Sequence, residues 1–430
     1  MNSTSAASLI ACHECDLLQR ALPLPRNGVL RCRRCGAELA RDRQDSIDRA
    51  LAFTLAAMVL FVASNAFPMV GLEVNGDRVK TTLSGAVRIL YDDGMWPLAG
   101  LVFATTFLMP LLQMATMCYL LLPLRLGRTP YRGDLIFRAL HLAQPWGMTE
   151  VLILGMLVAL VKLAHIASVV PGTALYTFVI LMILLAAASS AFDPHDVWAR
   201  VSTLEPETVR VSRATSGTAA RAPTALRYGL TTCHSCELLT RIAGEGHGAP
   251  CPRCGAALHA RKPNSISRTW AFLIAAMVLY IPANLLPVMN TRSLFGSEKD
   301  TIMSGVAYLW TSGSWPLAIV VFIASVAVPM LKIMAIMFLV ISAQLRSPWV
   351  PQQRARIYRL VELVGRWSML DIYVITILVA LVQFKALATI QAGPAAIAFG
   401  AVVVLTMFAA MAFDPRLIWD RLENPHGQAS

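Results

Sequence analysis

Long uncharged stretches separated by short polar ones set the pattern of this chain. Residues 50–72 and 94–124 carry no charged side chain, and 151–192 hold one lysine, one histidine and a Pro171-Gly172 break. The pattern returns at 269–291, at 301–345 interrupted only by Lys332, and at 372–413 interrupted by Lys385 and Gly393-Pro394. About 20 apolar residues cross the hydrocarbon of a bilayer. Each first and second stretch therefore predicts one spanning helix, and each third a helical hairpin, giving four spans per half and eight in all. Helices are required because backbone facing lipid must satisfy its own hydrogen bonds.

The halves are copies of one unit. Cys12-His-Glu-Cys15 recurs as Cys233-His-Ser-Cys236, and Cys32-Arg-Arg-Cys35-Gly-Ala as Cys251-Pro-Arg-Cys254-Gly-Ala. Asn65 and Pro68 return as Asn284 and Pro287, Ser84-Gly85 as Ser304-Gly305, and Trp96-Pro-Leu-Ala99 as Trp315-Pro-Leu-Ala318. Ala191-Phe-Asp-Pro194 returns as Ala412-Phe-Asp-Pro415, and the offset stays between 219 and 221 throughout. This tandem duplication predicts a cysteine module at 1–48, four spans within 49–199, a Ser/Thr/Ala/Arg-rich tether at 200–229, a second module at 230–263, four more spans within 264–422 and a tail at 423–430.

Composition agrees: 56% of residues are hydrophobic and 14% charged, where soluble domains carry about 25% charged residues. An all-α polytopic membrane protein is the class that fits. The formal net charge of +12 would suit a nucleic-acid partner if it formed one face, but its placement is topological. With an even span count, 29 Lys and Arg fall on the side of both modules, the tether and the C-terminus, and five on the other side. The excess of positive charge predicts that the modules are cytoplasmic. The polar N-terminus already carries the first cysteine pair, so no cleavable signal is expected there. Reduced thiols in a cytosol follow.

Eight of the nine cysteines fall in four Cys-x-x-Cys pairs. Two such pairs at this separation can close a tetrahedral set of four thiolates, with zinc as the usual occupant. The expected ligands are Cys12, Cys15, Cys32 and Cys35 for one ion and Cys233, Cys236, Cys251 and Cys254 for the other. A module of about 40 residues has too little core to fold without such an ion, so each is expected to be a small β-rich zinc ribbon. Iron or a thiol redox pair are the alternatives. With four protein ligands the zinc would be structural. Cys118, alone in a span, reads as a small hydrophobe.

Charges inside spans are costly unless paired or wet. Lys332 and Asp371 stand on consecutive antiparallel spans of the second unit, and Gln113 and Glu150 occupy their places in the first. These four, with Asn284, form a candidate polar transport site. Lys385 and His165 read as side chains that snorkel to an interface. Asn65 and Asn284, each three residues before a proline, read as bridges for backbone opened where the first spans end. No phosphate loop, dinucleotide fingerprint or His-Glu-x-x-His is present, and nothing points to an enzyme.

Two four-Cys ribbons, each followed by four spans, with Ser-Gly…Trp-Pro-Leu between spans one and two and Ala-Phe-Asp-Pro after span four, resemble the paraquat-inducible protein A family over nearly the whole chain. The resemblance implies an inner-membrane protein of a Gram-negative bacterium and a tetraspanin-like arrangement of each four-helix unit. It also implies a partner with MCE domains that forms a periplasm-spanning tunnel, movement of phospholipid between inner and outer membranes, and a part in envelope integrity. Two other classes stay open on the residues alone. One is a membrane thiol oxidoreductase. The other is a tethered regulator reading nucleic acid or a protein through the arginines of the first ribbon; its second ribbon is poorer in charge.

Overall fold

Six helices among the described residues are long and apolar enough to cross a membrane. They are Ser46–Ala66, Trp96–Arg125 and Thr173–Ala191 in the first half, and Ser265–Leu285, Ala318–Gln344 and Pro394–Ala412 in the second. These are the first, second and fourth expected spans of each unit. The computed structural model describes residues 9–21, 24–26, 28–74, 77–143, 146, 152–153, 155–157, 168–201, 223–241, 248–293, 296–313, 315–345, 350–365, 372–374, 376, 379, 383–384 and 388–420. The two expected third spans fall largely outside these residues, although 152–153, 155–157 and 372–374 are helical.

In both units the first and fourth spans pack along each other. Ala57 and Ala188 in one, and Ala276, Ala283 and Ala409 in the other, are fully buried on these faces. Small residues let helix backbones approach closely where lipid offers no hydrophobic drive between helices. Leu98, Val102 and Phe178 of the first unit share one apolar core with Val321, Phe399 and Val403 of the second. The units therefore meet through this core.

Both second spans contain one wide π turn, at Ala104–Leu108 and Ile323–Ala327. Each precedes a proline, Pro110 or Pro329, that lacks an amide donor and would clash with the carbonyl of Thr106 or Ser325 in a regular α-helix. Widening the turn relieves that clash.

At the far end of the spans from the ribbons, short strands form sheets. Val70–Val74 pairs antiparallel with Asp77–Thr81 and with Ser168–Pro171. In the second unit the order is Gly296–Asp300, Met289–Ser293, Ala388–Ala392, Gln383–Phe384. Each sheet ties the end of the first span to the start of the fourth. Gly172 and Gly393 stand at that seam, where a Cβ would run into the carbonyl oxygen of Pro68 or Pro287. The amides of Gly172 and Gly393 donate to Met69 and Val288.

Candidate metal centres and a buried polar site

In the first ribbon two hairpins, Leu9–Ala11 with Leu18–Arg20 and Val29–Arg31 with Glu38–Arg41, each carry one Cys-x-x-Cys at the turn. The second ribbon pairs Leu230–Thr232 with Leu239–Arg241 and bridges Pro250 to Ala257. In all four knuckles the residue after the second cysteine lies in the left-handed region: Asp16 (φ 61), Gly36 (φ 75), Glu237 (φ 58) and Gly255 (φ 65). That conformation turns the chain so that both sulfurs face one point. Glycine adopts it without steric penalty. Asp16 and Glu237 show that carboxylate residues fill the same turn in the first knuckle of each ribbon.

Each set of four sulfurs lies within 4.8 Å of one another. Cys12 and Cys35, and Cys15 and Cys32, are 3.5 Å apart; Cys233 and Cys254 are 3.5 Å apart, and Cys236 and Cys251 3.6 Å. These separations far exceed a disulfide bond. A tetrahedral ion with zinc–sulfur bonds near 2.3 Å spaces its sulfurs by roughly 3.8 Å, so both sets fit a metal ion. Hydrogen bonds from Cys12 first and Cys15 next hold the Cys32 thiol far below its ordinary range, while Cys12 and then Cys32 push Cys15 far above it. In the second set Cys233 is likewise lowered by Cys236 and then Cys254, while Cys236 is raised by Cys233 and then Cys254. Each set thus favours a thiolate, the form that binds metal.

The cytosol-expected ends of the spans are held by repeated polar contacts. Arg43 donates to the carbonyl of Phe192, and Lys262, its repeat counterpart, donates 3.2 Å to the carbonyl of Phe413 and 2.7 Å to that of Met411. A cation thereby caps the C-terminus of each fourth span, the negative end of the helix dipole. Asp414 of Ala-Phe-Asp-Pro accepts from the Lys262 amide at 3.0 Å and pairs with Arg416 at 3.0 Å.

Gln113 and Lys332 of the second spans are buried. Gln113 donates to the hydroxyl of Ser189 on the fourth span at 3.0 Å. In the second unit Lys332 replaces Gln113, and Ala410 stands at the repeat position of Ser189. Lys332 is 3% exposed, and its ammonium has no hydrogen-bond partner among the described residues. It lies about 18 Å along the helix from Gln344. Its Nζ faces Gly365, where a Cβ would sit 3.3 Å away. Asp371 and Glu150 lie outside the described residues, as do Lys162, His165 and Lys385. The Asn284 amide donates to Tyr280 of its own helix at 2.9 Å, and Asn65 donates likewise to Phe61.

Sequence reasoning missed Tyr373. It is buried, and its hydroxyl donates to Thr105 at 2.9 Å, joining the second unit to the π turn of the first. Leu152 at its repeat position gave no sign of this role.

Residues 47–202 and 266–423 match the family model for Paraquat-inducible protein A. The chain is 34% identical over 429 residues to the Intermembrane transport protein PqiA of Escherichia coli strain K12, covering 99% of both chains. It is 30% identical to the Lipophilic envelope-spanning tunnel protein A of the same strain, over 96% of this chain and 91% of the relative. A Probable intermembrane transport protein of Haemophilus influenzae is 27% identical, over 96% and 95%. No solved structure matches significantly.

Proposed function

Because the chain belongs to the paraquat-inducible protein A family, we propose that it is the inner-membrane component of a phospholipid transport system linking inner and outer membranes. In this reading it passes lipid to or from a periplasm-spanning MCE-domain partner. The observation that carries the proposal is end-to-end similarity to a protein named for intermembrane transport, covering 99% of both chains. Six membrane-length apolar helices among the described residues suit the inner-membrane component of such a system. The 29-to-5 distribution of basic residues orients ribbons and termini to the cytoplasm and the two sheets to the periplasm.

Both four-Cys sets are assigned structural zinc. With four protein ligands the ion has no open position, so its contribution is to fold the ribbon. The transport site is assigned to the second spans. An ammonium buried at mid-depth is expensive unless a partner or water meets it. Lys332, with Asp371 from the following span, supplies that polar locus in the second unit. Gln113, satisfied by Ser189, is its quieter counterpart, with Glu150 following it in the chain; Asn284 marks the periplasmic end of the first span. The protein is read as a transporter without catalytic residues.

The test is transfer of fluorescent phospholipid between liposomes holding this protein and acceptor liposomes, with the MCE-domain partner added. Lys332→Ala should reduce transfer at least tenfold at wild-type abundance, and Gln113→Ala should reduce it less. Wild-type transfer by Lys332→Ala would overturn the assignment of the site. Absence of any partner-dependent transfer by the wild type would overturn the function.

A further inference from the structure

Each ribbon seats on the transmembrane unit of the other half. Cys12, Cys15 and Cys32 pack in one apolar cluster with Ile336, Ala355 and Trp419 of the second unit. Cys233, Cys236, Cys251 and Cys254 pack with Phe137 and Trp198 of the first. Two polar contacts repeat across this exchange. Arg138, on the helix Gly133–Ala143 that follows the second span, donates through Nε to the carbonyl of Cys254 at 3.1 Å, and also through its terminal nitrogen. Arg359, its repeat counterpart on Pro351–Gly365, donates to the carbonyl of Cys35 at 2.8 Å. The guanidinium of Arg34 stacks 4.5 Å over Trp419, and that of Arg253 lies 5.9 Å over Trp198. All four partners obey the repeat offset, so the same receptor for a ribbon is built twice and is used crosswise both times.

We propose that the folded fourth-cysteine knuckle of each ribbon is the ligand of a receptor on the opposite unit, made of one arginine and one tryptophan. Metal in one half thereby fixes the cytoplasmic helices of the other. Three physical reasons carry this. A knuckle presents its carbonyl in a fixed direction only when its sulfurs are gathered on an ion. Four thiolates around a divalent cation leave an excess of negative charge, which a guanidinium complements. Each ribbon also continues directly into its own first span, so seating it on the other unit makes it a bridge. Arg359 adds a bidentate pair with Glu14 at 2.5 Å, whereas Ser235 stands at that place opposite Arg138. The ribbons are also joined to each other through Arg261 on Asp16 at 3.2 Å, and the Leu18 amide donates at 2.8 Å to the carbonyl of Pro223 in the segment leading into the second ribbon. Arg261 reaches Asp420 as well, at 2.7 Å.

The inference rests on the metal assignment above, and hydrogen exchange of the full chain in nanodiscs, with zinc quantified, separates the two. Cys32→Ser should lower zinc from two ions per chain to one and speed exchange severalfold in 351–365 and 415–420, leaving 133–143 and 194–201 as in wild type. Cys251→Ser should likewise leave one ion per chain, speed exchange in 133–143 and 194–201, and leave 351–365 as in wild type. Faster exchange in the same half as the lost ion, or equally in both, overturns the crossed clasp; a wild-type chain without zinc overturns the metal assignment instead. Arg359→Gln, which keeps every ligand, guards against variants that fail to fold. It should retain two ions but release one of them to a chelator roughly tenfold faster, the effect of losing a charge-assisted pair. Unchanged release from Arg359→Gln overturns the proposal.

Discussion

Asp414 shows how much one buried side chain can hold. Its carboxylate is 1% exposed and accepts from the Lys262 amide and from Arg416, while its own amide donates to Ser265. Burial by itself would raise this carboxyl, but Arg416, the Lys262 amide and Arg261 together bring it below its ordinary value. An acid whose folded value is lowered adds stability above its unfolded value, near pH 4, and that addition is lost as pH falls through the folded value. Asp414→Asn should therefore destabilise the protein by about 3 kcal/mol at pH 7, read as a lower thermal midpoint in detergent. The difference from wild type should narrow below about pH 4; a gap that stays constant to pH 3 would show that the charge is not responsible. Lys332 is the opposite case. Its position in an apolar stretch is plain in the sequence, but its lack of a hydrogen-bond partner among the described residues goes with Ala410 standing where the first unit has Ser189.

At the scale of elements, the spans were legible because unbroken apolar runs of this length have few other stable solutions. The π turns were not, since Pro110 and Pro329 in an apolar run are equally compatible with a kink. The sheets were also missed, although Asn75-Gly76 between the alternating runs Val70–Val74 and Asp77–Thr81 is a hairpin signal. Non-local pairing with the strand before the fourth span was beyond reach of any local pattern. Pro329→Ala restores a backbone donor and permits a regular helix, which would rotate Lys332 relative to its present neighbours. Interior proline disfavours helix by about 3 kcal/mol relative to alanine. The variant should thus keep or raise the thermal midpoint while lowering phospholipid transfer severalfold. Unimpaired transfer would mean that the wide turn only accommodates the proline.

For the whole molecule, orientation is the property on which the transport reading depends. Cysteines introduced at Asn75 and Ser297 should react with a membrane-impermeant maleimide added to intact spheroplasts, and one at Ser216 should react only after lysis. Labelling of Ser216 in intact spheroplasts would invert the topology and remove the cytoplasmic assignment of the ribbons. The sequence by itself determined the duplication, the membrane class, six of the spans now seen as helices and the eight cysteines that gather into two sets of four. Each of these is local: a run of apolar residues, or two Cys-x-x-Cys turns a short distance apart, constrains its own segment whatever the rest of the chain does. Tertiary structure alone decided which unit each ribbon serves. Arg138 and Cys254, or Arg359 and Cys35, occupy equivalent places in their repeats, so a crossed and an uncrossed pairing have the same local sequence. Only the packing of Trp198 and Trp419 beneath the opposite ribbons, and the shared core that brings the two units side by side, separates them.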